Sequence, residues 1–401
     1  MTSSPLSKTV NFILINCLLC MAAIIFTGCA DDEESPSWVA IQEKFGVRID
    51  PDNLPDYAGQ RKPSYITRDN TRDNPISNAQ ATLGRVLFYD PQLSIDNSVS
   101  CASCHQQQHG FSDPSLASDG VSGGTTGRHS MRLINARFGD EPKFFWDERA
   151  TTLENQVTRP IQDHSEMGFS GADGRPDLQA LIAKLKDMAY YQELFKMAYG
   201  DETITELRMQ QSLAQFVRSI QSFDSRYDAG RASVNADNQP FPNFTQQENA
   251  GKNIFLAPPQ FDNQGIRIGG GAGCAGCHRP PEFSIDPASR NNGIIGKIDL
   301  SGSDLTNTRS PSLRDLTDSQ GNPHGPMMHD GSKTTLAAVI EHYNAIPDQT
   351  GNTNLDPKLR PNGSLQKLNL TTQEKDALVA FLKTLSGKSV YTDEKWSDPF
   401  N

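Results

Sequence analysis

The sequence predicts an all-α fold of two related halves with long loops between the helices. Three observations lead there. Apolar residues recur at helical spacing in four segments, the same helix–motif–loop–helix order occurs twice, and 31 Gly and 25 Pro in 401 residues break up what lies between. Hydrophobic residues make up 36% and charged ones 21%, enough apolar material for a sizeable core and too much for a disordered chain. The net charge of −11 argues against a nucleic-acid partner and matches a basic soluble protein better.

At the N-terminus, Lys8 precedes an apolar run from Phe12 to Phe26 that ends in Phe26-Thr27-Gly28-Cys29. This is the pattern of a bacterial lipoprotein signal, with residues 1–28 removed and a lipid on Cys29. An aliphatic residue is usual where Phe26 stands, and an ordinary signal peptide or an uncleaved anchor is the alternative. Either way the chain is expected on the periplasmic side of a bacterial membrane, with exposure on the outer surface left open. Residues 29–74 read as an acidic tether followed by extended chain wrapping a domain.

The first half is expected over 75–235. The segment Gln80-Ala81-Thr82-Leu83-Gly84-Arg85-Val86-Leu87-Phe88 reads as a helix, followed by Cys101-Ala102-Ser103-Cys104-His105 and, much later, by a closing helix around Leu213–Ile220. The second half, 236–401, repeats the order with Gln247–Phe255, Cys274-Ala275-Gly276-Cys277-His278 and Leu378–Leu385. Asp224–Phe244, rich in Asp, Asn, Pro and Gly, reads as the seam between them. Beyond Cys17, Cys20 and Cys29, all four remaining cysteines fall in the two CxxCH motifs. That spacing lets two thiols reach the two vinyl groups of one haem while the adjacent imidazole turns under the iron, so the motifs predict two covalently bound haem c groups. A zinc site or a dithiol redox pair is the competing reading. Each half thus reads as a cytochrome c-like domain around one haem.

Several further motifs join these: Phe144-Phe145-Trp146-Asp147-Glu148-Arg149, Pro160 to Met167, Ser310-Pro311-Ser312-Leu313-Arg314 and Met328-His329-Asp330-Gly331. With Leu83-Gly84-Arg85 and the two haem motifs, their order and spacing from Asn78 to Gly387 resemble the bacterial di-haem cytochrome c peroxidases and their MauG-type relatives. The resemblance implies reduction of hydrogen peroxide to water at the N-terminal haem. Electrons would come from a small cytochrome c or cupredoxin through the C-terminal haem. Peroxide cleavage needs a proton carrier and a polar clamp on the leaving oxygen. By position, the resemblance assigns these to Glu166 and Gln156, and Trp146 to the place between the haems. Glu148 stands where a glycine is usual, so the local turn is expected to differ.

Val121 falls where some relatives carry a distal histidine, which implies an iron with an open face. His109 lies too close to His105 to serve, and His129 is the remaining rival. At the C-terminal haem the axial position falls on Tyr343, with Met327 and Met328 as thioether alternatives. A phenolate would favour oxidised iron. The resemblance also implies a calcium ion near His129, His324 and Pro326, where histidine in place of asparagine weakens the case; calcium is left open, as is a homodimer. The glycine run Gly269–Gly273 reads as a flexible approach to Cys274, and His164 and His342 as surface histidines. Two other functions stay in view: a MauG-like oxidase that modifies residues of a partner protein, and a non-catalytic di-haem electron carrier.

Overall fold

The computed structural model describes residues 37–400; the leader, Cys29 and the start of the tether lie outside them. Among the described residues the chain is mostly helical. The helices in order are α1 (Val39–Phe45), α2 (Asn78–Tyr89), α3 (Cys101–Cys104), α4 (Leu153–Val157), α5 (Arg159–Gln162), α6 (Leu178–Lys186) and α7 (Ala189–Tyr199). After them come α8 (Glu206–Ser219), α9 (Arg226–Arg231), α10 (Gln246–Leu256), α11 (Leu336–Asn344) and α12 (Thr372–Lys383). Two small antiparallel sheets depart from the all-α expectation. Strand β1 (Pro259–Phe261) pairs with β2 (Arg267–Gly270), Pro259 opposite Gly270, and β3 (His278–Arg279) pairs with β4 (Ser284–Ile285), His278 opposite Ile285.

Local signals explain where the repeated helices begin. Thr245 and Thr371 open α10 and α12 with reciprocal capping boxes to Glu248 and Glu374, which satisfy otherwise orphaned backbone N–H groups. Thr205 caps α8 through the N–H of Arg208. The duplication continues into packing: α2 lies against α8, and α10 against α12. A Cβ on Gly84 would sit 2.0 Å from the Ser212 carbonyl oxygen, and one on Gly251 would sit 1.9 Å from that of Ala377. Each glycine also meets a phenylalanine one turn on, Phe216 and Phe381, so both helix pairs cross at a backbone contact only glycine permits. One apolar cluster gathers around Leu83, Leu87, Phe88, Leu213 and Phe216, the other around Phe255, Phe283, Leu378 and Phe381.

Three expectations need correction. The 37–74 stretch is not wholly extended: α1 forms there, its free N–H groups at Ala40 and Ile41 donating to the Glu193 carboxylate of α7. The seam contains α9, held by a Ser225–Asp228 capping box, because Asp228 is a buried partner of Arg314 (Nη1 to Oδ1, 2.9 Å) and accepts from the Tyr65 hydroxyl (2.8 Å). Gly269–Gly273 is no flexible approach either. Its first residues lie in β2, and Cβ atoms on Gly271 and Gly273 would strike the Ala257 carbonyl and the Pro259 ring at 2.5 Å, so close approach rather than mobility explains the glycines. At the other end of the chain, residues 395–397 return to the first cluster: the Tyr57 and Tyr89 hydroxyls and Arg85 Nε donate to the carbonyls of Lys395, Trp396 and Ser397, each at 2.6 Å.

Candidate functional site

The first CxxCH motif is built by a single turn of helix. Ser100 and Ser103 form a capping box around α3, and that turn presents Cys101, Cys104 and His105 to one cavity of about 600 Å3. The His105 Nδ1 lies 3.1 Å from the Phe111 carbonyl oxygen, the contact by which a backbone acceptor orients a metal-binding imidazole. Burial pushes the His105 pKa down, which keeps the ring neutral, as an iron ligand must be. Apolar side chains such as Val99, Leu153, Leu213 and Val217, two thiols and a neutral imidazole on one cavity fit a thioether-bound haem.

Gln156 on α4, Glu166 and Trp146 line the same cavity. Burial pushes the Glu166 carboxyl up to about 7; the Asp163 charge adds to the rise and Arg149 opposes it. A carboxyl poised there exchanges protons readily in both directions near neutral pH. Its backbone is tightly held: the Glu166 carbonyl accepts from the N–H of Val121 (3.0 Å), and Cβ atoms on Gly120 and Gly124 would come within 1.9 and 2.6 Å of the Ser165 carbonyl oxygen. Val121 itself is buried in the apolar cluster and offers no ligand. A second cavity of about 480 Å3 shares Phe145, Arg149, Asp163 and Glu166 with the first, so the Glu166 carboxyl stands where the two adjoin.

Trp146 donates from Nε1 to the His129 carbonyl (2.7 Å), and its ring stands 6.2 Å from that of His329. Its own carbonyl accepts from the N–H groups of Thr308 and Arg309, so segments from both halves of the sequence hold it. Two residues on, Glu148 keeps the left-handed backbone (φ +57°) that glycine would take there. Its carboxylate accepts from Thr308 Oγ1 at 2.6 Å and Lys143 Nζ at 3.2 Å.

The second CxxCH motif is a 3₁₀ turn, Cys274–Gly276, running into β3. The buried His278 Nδ1 has no hydrogen-bond partner among the described residues. Burial pushes the Cys274 thiol up to about 12 and the His278 imidazole down to about 4. Among the described residues no three His, Cys, Asp or Glu side chains gather to hold a metal, which disfavours the zinc reading. Tyr343 and Met328 come together at one amide: Asn292 Nδ2 lies 3.1 Å from the Tyr343 hydroxyl and 3.4 Å from Met328 Sδ. Burial pushes the Tyr343 phenol up, and the nearby Cys277 and Cys274 add to that.

His342 is not at the surface. It is buried, with Nε2 2.8 Å from the Asn292 carbonyl, because α11 turns it toward the segment that holds both candidate ligands. His164 is exposed. The residues at the implied calcium position do not fit that ion. His129 and His324 are both buried, burial pushes both imidazoles down, and neither side chain offers the hard oxygen ligand that calcium prefers. His109 packs edge-on against His324, outside the haem cavity. Sequence reasoning missed Asn292, Arg132, Arg149 and Arg309, since nothing in a lone Asn or Arg distinguishes it before the fold brings it to a cavity.

Comparison with known proteins gives consistent similarities. The family described as Di-haem cytochrome c peroxidase matches residues 78–235. The methylamine utilization protein MauG of Methylophilus methylotrophus is 30% identical over 342 residues, spanning 84% of this chain and 90% of the relative. Cytochrome c551 peroxidase of Nitrosomonas europaea is 27% identical over 332 residues, spanning 78% and 81%. Among solved structures, a MauG-like protein associated with microbial copper homeostasis superposes with a TM-score of 0.63 at 27% identity, over 86% of this chain and 99% of that one.

Proposed function

The chain belongs to the bacterial di-haem cytochrome c peroxidase and MauG family, and from that premise we propose that it reduces hydrogen peroxide to water with electrons from a small cytochrome c or cupredoxin. The observation that carries this reading is Glu166, a half-buried carboxyl pushed up to about 7 on the cavity that holds Cys101, Cys104 and His105. Haem c groups on the two CxxCH motifs supply the redox iron, the His105 group for peroxide and the His278 group for electron entry. The chain's own residues move the proton. The Glu166 carboxylate takes it from one peroxide oxygen and returns it to the other, so that the O–O bond breaks with water as the leaving group. The Gln156 amide donates a hydrogen bond to that leaving oxygen and fixes its orientation. The Trp146 indole, held from both halves, lies on the electron route. Two electrons and two protons per peroxide give two waters.

Glu166→Ala, with both haems still attached, is expected to lower peroxide turnover about 10²–10⁴-fold. Turnover within twofold of wild type would overturn the assignment. Tyr343 favours a second reading, a MauG-like oxidase acting on a partner protein, because a phenolate at the axial position of the His278 haem would favour oxidised iron. Steady turnover of peroxide with reduced cytochrome c separates the peroxidase from that oxidase, and absence of any spectral response to peroxide would leave only the electron carrier. The proposal includes a peroxidatic domain over 75–235, an electron-transfer domain over 236–401 and a Cys29 lipid anchor on the periplasmic side of the membrane.

A further inference from the structure

The Ser310–Arg314 motif has no part in the proton chemistry above, yet its first residues and the arginine before them line the His105 cavity. Two guanidinium groups meet there with most of their donors unspent. Arg132 donates from Nη2 to the Ser312 carbonyl (2.8 Å), which ties it to the motif, and Arg309 donates from Nη1 to the Lys143 carbonyl (2.8 Å). Among the described residues neither guanidinium makes another hydrogen bond and neither forms an ion pair; that of Arg309 lies 4.5 Å over the Phe144 ring, a contact that uses its face and leaves its N–H fork free. Each Nε is sealed from solvent without a partner, as is the Ser310 hydroxyl. The acids whose charges act on them are engaged elsewhere: Asp315 with the Tyr391 hydroxyl and the Gly387 N–H, Glu141 with the Lys143 N–H, and Glu148 with Thr308 Oγ1 and Lys143 Nζ.

A guanidinium carries five N–H donors in a fork that matches a carboxylate, and donors sealed from water without an acceptor are costly. Two of them on one cavity wall therefore call for an anion. We propose that Arg132, Arg309 and Ser310 form a cradle for the propionate carboxylates of the haem held by Cys101, Cys104 and His105, and that this cradle sets the haem's orientation and raises its reduction potential. The inference rests on the reading that a haem c occupies this cavity. A porphyrin attached by thioethers and one imidazole already has its iron and vinyl edge fixed, and the opposite edge carries the two carboxylates that remain to be paired. Positive charge beside them disfavours ferric iron, so removing it moves the potential in the negative direction.

The test uses the mature di-haem protein. Arg132→Gln, Arg309→Gln, Ser310→Ala and Arg132→Lys are titrated spectroelectrochemically across pH, with haem content measured by pyridine haemochrome. In the two Gln variants the His105 haem is expected to shift to a more negative midpoint and to gain pH dependence as an unpaired propionate titrates, while the His278 haem keeps its wild-type value. Arg132→Lys, which keeps the charge and loses the fork, falls between. Should the Gln variants fail to retain haem, Arg132→Lys and Ser310→Ala decide the matter by the same shift. Fully loaded variants with the wild-type midpoint and pH profile would overturn the cradle. A wild-type protein with fewer than two haems would instead overturn the underlying functional reading.

Discussion

At the scale of single residues, the chemistry turns on how burial and charge divide the control of Glu166. Desolvation raises its carboxyl to about 7, Asp163 adds to the rise, and Arg149 works against it. Arg149 lies 3.6 Å above the Phe145 ring and pairs with Asp147 (2.8 Å), so it is held near the site without neutralising the acid by direct contact. Glu166 must be ionised to accept a proton, so turnover is expected to rise with pH through about 7. Arg149→Met removes the one influence that lowers the pKa and should move that rising limb to higher pH. A pH–rate profile superimposable on wild type would show that Arg149 does not tune the acid. Arg132 argues a second point at this scale. It helps burial keep the His129 and His324 imidazoles neutral, and these offer calcium no oxygen ligand, so prolonged treatment with a chelator is expected to leave turnover and both haem spectra unchanged. Loss of activity restored by added calcium would refute it.

At the scale of elements, the two helix crossings are the repeated structural statement. Substituting alanine for glycine inside an exposed helix stabilises it by roughly 1 kcal/mol. At Gly84 and Gly251 the sign reverses, because the new methyl group would overlap a facing backbone carbonyl that cannot rotate away. Gly84→Ala and Gly251→Ala are each expected to cost about 1–3 kcal/mol, measured by denaturant unfolding of the haem-loaded protein. Neutral effects at either position would mean that the helices do not cross so closely. The glycines and the helical periods were legible in the chain. The short sheet beside Cys274 and the helix inside the 224–244 stretch were not: each is stabilised by partners far away in sequence, Pro259 for the glycine run and Arg314 for α9.

For the whole molecule, one buried ionic cluster gathers distant parts of the chain. Arg314 pairs with Asp228 (2.9 Å) and lies 3.1 Å from the Glu282 carboxylate; Glu282 also accepts from Asn135 Nδ2 (3.3 Å), and Asp228 from Tyr65. The N-terminal stretch, the first half, the join and the segment after His278 therefore meet at one guanidinium. Arg314→Met would leave two buried carboxylates without their cation and is expected to cost about 3–5 kcal/mol of stability. An unfolding midpoint equal to wild type would show that the cluster relaxes without it.

The chain alone determined what depends on local spacing: paired thiols with an adjacent histidine, and glycines at fixed places on apolar helices. Those features follow from covalent reach and helical period, which are properties of neighbours in sequence. Only the tertiary structure decided which polar groups are sealed from water and which charges face one another. It put Glu166 near neutrality, turned His342 inward, brought Tyr343 and Met328 to one amide, and set two under-used guanidinium groups on the haem cavity. Desolvation and Coulomb interactions depend on distance through space, and no spacing along the chain records that.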